Sequence, residues 1–256
     1  MGKTKLDNYL SAIQANHKKI FVPYIMAGDG GLEKLKEQIL FLEACGAAAI
    51  EVGIPFSDPV ADGPTIQNAA KRALEQQTTL QAVLAALATF KSQRTIPIII
   101  MTYMNPVFVY GVEHFANACA EADVDGVIIP DVPLEEDDLV TGVLKKNDIA
   151  LIRLVSLTST KERIQTITQR AEGFLYAVTV KGTTGARSSF DQAVKEYLQQ
   201  LKQQSNIPVL AGFGVSTSEQ AKELASYCDG VIVGSKIVEW LHEEKREAIQ
   251  LLISSV

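Results

Sequence analysis

The sequence predicts an α/β protein folded as a single (β/α)8 TIM barrel with an extra N-terminal helix, and three observations predict it. Eight short apolar runs recur along the chain, an amphipathic segment follows each, and nothing in the 256 residues reads as a linker. One such barrel commonly takes about 250 residues. Closure also suits eight parallel strands, because an open sheet of that size has two edges to protect.

The eight runs are IFVPYIM (20–26), AAIEVG (48–53), IPIIIMT (96–102), DGVIIP (125–130), IALIRLV (149–155), FLYAVTV (174–180), IPVLAGF (207–213) and DGVIVG (229–234). Each is continuously apolar rather than alternating, the pattern of strands buried on both faces. Between them, segments such as LEKLKEQILFLEACG, SFDQAVKEYLQQLKQQ and STSEQAKELASYC space their apolar residues three and four apart, as helices that cover a sheet do. Residues 4–17 form the leading helix, placed to plug the bottom of the barrel. The whole of 1–256 reads as one catalytic domain.

Composition narrows the class. A net charge of −6 leaves no basic footprint for a phosphate backbone or an anionic bilayer, which predicts no nucleic-acid and no membrane partner. No run approaches the roughly 20 apolar residues of a membrane span. Cys45, Cys119 and Cys228 are odd in number and widely spaced, the usage of reduced thiols in a cytoplasmic protein.

Active sites of this architecture lie at the carboxyl ends of the strands. Glu51 interrupts the second apolar run there, and desolvation raises a buried carboxylate toward the range useful for proton transfer. The structural alternative is a Glu paired with a neighbouring Arg. The loop that follows, GIPFSDPVADGPTIQNAAK, is stiffened by Pro55, Pro59 and Pro64 and carries two further acids, Asp58 and Asp62. One of them is placed to face a substrate, and both also suit ordinary turn chemistry.

AGFGVS after strand seven and VGSKIV after strand eight bring Gly212, Gly214, Gly234 and Ser235 to strand ends that open helices, a natural phosphate cradle. The stretch VKGTTGARSSFDQ after strand six is long enough for a lid over 180–191. Lys181 within it admits a rival reading as a Schiff-base nucleophile, though a solvated lid position also accounts for it. His17, His114 and His242 fall in helices or their approaches, so they form no metal set and no triad. The acids Glu135, Glu136, Asp137 and Asp138 read as a solvated helix start.

The segment IEVGIPFSDPVADGPTIQNA, with FVPYIMAGD, IPDVPLEE, TTGAR, GFGVS and VGS in order, resembles the α subunit of tryptophan synthase over essentially the whole chain. The resemblance implies a lyase that splits indole-3-glycerol phosphate by a retro-aldol reaction. Glu51 matches its general acid/base and Asp62 its second carboxylate. Tyr24, Met101, Ile128 and Leu154 match the apolar wall for indole, while Tyr176, Thr184 and Phe213 match further substrate contacts. Gly185, Gly212, Gly214, Gly234 and Ser235 match its phosphate positions.

The resemblance also implies no metal and no cofactor in this chain. It implies a β-subunit partner that carries pyridoxal phosphate, in an αββα heterotetramer, met by the loop after strand two and by the loops of Asn105 and Asp131. A regulatory chain with little turnover of its own is the rival from another class.

Overall fold

In a computed structural model, residues 2–179, 192–212 and 214–256 are described. Nine strands form one parallel sheet: β1 (Ile20–Met26), β2 (Ile50–Gly53), β3 (Ile98–Met101), β4 (Gly126–Ile128), β5 (Ala150–Leu151), β6 (Arg153–Ser156), β7 (Leu175–Val178), β8 (Val209–Gly212) and β9 (Gly230–Val233). Their spatial order is β5-β4-β3-β2-β1-β9-β8-β7-β6. The two ends of that order are neighbours in sequence, separated by Ile152 alone, so the sheet closes on itself as a barrel.

The expected fifth strand is therefore divided. Its first half pairs with β4, at Gly126↔Ala150 and Val127↔Leu151. Its second half pairs with β7, from Arg153↔Leu175 to Ser156↔Val178. The chain crosses at Ile152, whose N–H still reaches the Val127 carbonyl at 2.9 Å. Above that point the wall parts, and a cavity of about 560 Å³ opens between Ile129, Pro130, Leu134, Leu154 and Val178. The other seven expected strands lie in place, the first with its expected bounds and the remaining six each shorter by a residue or more at its ends.

Continuous apolar runs arise because the two faces of each strand feed different cores. Ile20, Val22, Tyr24 and Met26 of β1 join Ile99, Met101, Ile128, Tyr176, Leu210 and Ile232 inside the barrel. Phe21, Ile25, Ile50, Val52, Ile98, Ile100 and Val231 instead pack outward under the helices. Glu51 lies between the outward-facing Ile50 and Val52, and the two-residue period of a strand turns it inward.

The leading helix spans Lys3–Ala15. Leu6 and Leu10 enter the inner core beside Phe174, and burying each contributes about 2 kcal/mol. Lys5 fastens this plug to Asp123 at 3.0 Å and Asp125 at 3.3 Å. Among the described residues no helix is long and apolar enough to cross a membrane.

The acid run departs from its solvated reading. Asp137 is buried, and its Oδ2 accepts hydrogen bonds from Arg153 Nη2 at 2.6 Å and Nε at 3.0 Å. Arg170 lies 3.5 Å from its other oxygen. Arg153 is the charged break in IALIRLV. It occupies an outward position, where Asp137 compensates the cost of burying a guanidinium.

Candidate active site

Strand register assembles the site. Tyr24 of β1 sits beside Glu51 of β2, Glu51 beside Ile99 of β3, and Gly53 beside Met101. Met101 adjoins Ile128 of β4, and on the far wall Leu154 adjoins Tyr176, which adjoins Leu210. Every inward position named at the sequence level on these strands thus faces one interior.

Glu51 is 1% exposed, and its Oε2 has no hydrogen-bond partner. Burial first, and the nearby charge of Asp62 second, push its carboxyl up to about 8. A structural Glu has a cation or several N–H donors, and among the described residues no cation pairs with this one. Among the described residues no Arg pairs with it, as the structural alternative required.

Asp62 and Asp58 separate cleanly. Asp62, in the loop that runs from β2 to the helix Pro64–Glu75, is 8% exposed. Burial raises its carboxyl, and a hydrogen bond from Tyr103 opposes the rise. Asp58 is exposed and accepts a hydrogen bond from its neighbour Ser57, so it is the turn residue of the pair.

Tyr24 and Tyr176 are buried against both acids. Burial dominates, the charges of Asp62 and Glu51 add to it, and both phenols rise well above their ordinary value. Their hydroxyls therefore remain protonated donors. Tyr103, which sequence reasoning did not single out, is buried beside Asp62. It stands two residues beyond Met101, and extending the strand-end rule past the apolar run of β3 was the signal for it.

Two glycines are steric necessities. A Cβ on Gly53 would lie 1.9 Å from Tyr24 Oη, and one on Gly212 would lie 2.3 Å from Tyr176 Cε1. Gly212 thus makes room for a site tyrosine, a reason the phosphate reading did not contain. Gly214 has φ +79°, a conformation that favours glycine.

Gly234 differs. A Cβ there would come no nearer than 3.6 Å, to Tyr24 Cβ, an ordinary contact, so internal packing does not demand glycine. It precedes the helix Ser235–His242, which has no side-chain cap. The first backbone bond of that helix runs from Val238 N–H to Gly234 C=O at 3.0 Å. The amides of Ser235, Lys236 and Ile237 are left without intrahelical acceptors, as an anion site requires.

Thr184, Gly185, Phe213 and the lid reading of 180–191, with Lys181, lie outside the described residues. Among the described residues no His, Cys, Asp and Glu side chains cluster so as to hold a metal ion. Asp131 receives the Met104 N–H at 3.0 Å, and Asn105 is exposed on the helix Met104–Tyr110. That helix also exposes Phe108 (56%) and Val109 (82%), and the adjoining loop exposes Val60 (72%), an apolar rim on one side of the barrel mouth.

A family model described as "Tryptophan synthase alpha chain" matches residues 10–255. The tryptophan synthase alpha chain of Oceanobacillus iheyensis is 56% identical over 99% of this chain and 97% of its own length. That of Bacillus cereus is 53% identical over 95% of each. Among solved structures, the alpha subunit of Legionella pneumophila superposes with a TM-score of 0.88 at 38% identity, covering 100% of this chain and 97% of that one. A tryptophan synthase structure from Mycobacterium tuberculosis gives 0.90 at 34% identity, covering 98% and 97%. With coverage this complete, and with two desolvated carboxylates in a (β/α)8 barrel, the chain belongs to the tryptophan synthase alpha chain family, the lyases that release indole from indole-3-glycerol phosphate.

Proposed function

We propose that Glu51 and Asp62 are the catalytic pair of this lyase, which cleaves indole-3-glycerol phosphate to indole and glyceraldehyde 3-phosphate in tryptophan biosynthesis. The observation that carries the assignment is the inward Glu51, dry, without an ion-pair partner among the described residues and protonated up to about 8, close to the charge of Asp62. Such a group gives a proton near neutral pH and takes it back.

The steps balance around it. Glu51 protonates the indole carbon that bears the glycerol chain, and positive charge spreads to the ring nitrogen. Asp62, ionised, accepts a hydrogen bond from that N–H and stabilises the charge. The Glu51 carboxylate then removes the proton of the adjacent glycerol hydroxyl, the carbon–carbon bond breaks, and its electron pair returns to the ring. Indole and an aldehyde leave, and Glu51 is protonated again.

Tyr24, Met101, Ile128, Leu154 and Tyr176 wall the indole, with Thr184 and Phe213 assigned beside them. The phosphate rests on the free amides behind Gly234 and Ser235, with Gly185, Gly212 and Gly214 assigned to the same end. This scheme assigns no cofactor to the chain.

The rim of Val60, Phe108 and Val109 suits the β subunit, in an αββα assembly whose pyridoxal phosphate belongs to that partner. The single domain 1–256 and a cytoplasmic setting complete the reading, the latter supported by three free cysteines.

The test is indole release by the purified chain from indole-3-glycerol phosphate. Asp62→Asn lowers turnover by about 100-fold or more with KM little changed. Full turnover in that variant refutes the assignment.

A further inference from the structure

Tyr103 grips the loop that carries Asp62 at two points. Its ring packs on Phe56 with centroids 5.4 Å apart, tilted by 32°. Its hydroxyl accepts the Ala61 N–H at 3.2 Å. The same hydroxyl neighbours the Asp62 carboxylate and opposes the rise that burial imposes on it. A phenol has one proton to give, and with Ala61 filling an acceptor position that proton is left to turn toward Asp62. Behind the ring, the next residue is fixed as well, since Asp131 receives the Met104 N–H. At 3% exposure, little water competes for the phenol.

We propose that Tyr103 is a positioning residue of the reaction: its hydroxyl, held by Ala61, aims Asp62 at the indole N–H and keeps that carboxylate ionised in a dry site. The proposal rests on the role given to Asp62 above. Among the described residues, the other groups facing Asp62 are Glu51 from β2, Tyr24 from β1 and Tyr176 from β7, and Asp131 acts on Tyr103 from the loop after β4. None of them is a cation, so a neutral donor is what favours the charged form.

Tyr103→Phe keeps the ring on Phe56 and removes only the donor. Turnover falls about 10-fold, KM stays within about 2-fold because the phosphate anchor is elsewhere, and the acid limb of kcat/KM moves up by about one pH unit. In an Asp62→Asn background the same change costs nothing further. An unmoved acid limb, or an equal loss in that background, overturns the proposal while leaving Asp62 in its role. Full activity of Asp62→Asn alone overturns both. Should Tyr103→Phe melt early, 3-fluorotyrosine at position 103 retains the fold and gives a stronger donor. The acid limb then moves down, and a limb that stays put overturns the proposal.

Discussion

Replacing Glu51 by Gln keeps the shape of the side chain and removes its titration. In the folded chain this carboxyl holds its proton up to about 8, and in the unfolded chain it titrates at its ordinary 4.5. Between those values the folded state binds more protons than the unfolded one, so stability declines as pH rises through the window. At about 1.4 kcal/mol per pH unit, the interval amounts to a loss on the order of 5 kcal/mol above pH 8. Gln has no charge to desolvate and escapes the loss.

Urea unfolding of both proteins, measured from about pH 4.5 to pH 9, reads this directly. The two stabilities converge at the acid end, and the variant becomes the more stable as pH increases. The same variant, lacking the proton donor, loses turnover by about 100-fold or more. Parallel stability curves would mean that Glu51 ionises as if in water, and the acid/base role would fall with its desolvation.

Gly212→Ala places a methyl carbon 2.3 Å from Tyr176 Cε1, where ordinary contact begins at 3.4 Å, so a buried ring must shift. The cost is about 1–3 kcal/mol, visible as a lower Tm, and unchanged melting refutes the steric account. Asp137→Asn leaves the Arg153 guanidinium, whose side chain is 10% exposed, without its compensating charge. Denaturation shows a loss of about 3 kcal/mol that Arg153→Met in the same chain partly restores. A loss below about 1 kcal/mol shows the pair to be solvated.

The strand ladder was legible because burial on both faces leaves an unmistakable apolar run, and Glu51 was legible because a carboxylate breaks one. The choice between Asp58 and Asp62 came from the resemblance alone, since spacing and turn chemistry are alike. The folded loop supplies the physical difference, burying Asp62 and exposing Asp58. The strand-end rule reaches the position of Tyr103, but the roles of Tyr103 and Asp137 come from partners in other loops and strands, contacts that no local pattern encodes. The division of the fifth strand was hidden for a related reason. IALIRLV reads as continuous, and Arg153, which marks the second half, looks like an isolated exception until Asp137 is seen beside it.

That division makes the barrel two arcs of contiguous chain, one from Ile20 to Leu151 and the other from Arg153 to Val233. Apart from the covalent step at Ile152, the ladder that welds them is β1 on β9, where Ile20 meets Gly230 across most of the polypeptide. Bringing such distant residues together carries the largest loop-closure entropy of any seam in the ring. Each arc has its own local zippering to complete before that final weld. Hydrogen exchange should find the amides along the Ile20–Pro23 ladder opening together, as the joint through which the circle comes apart.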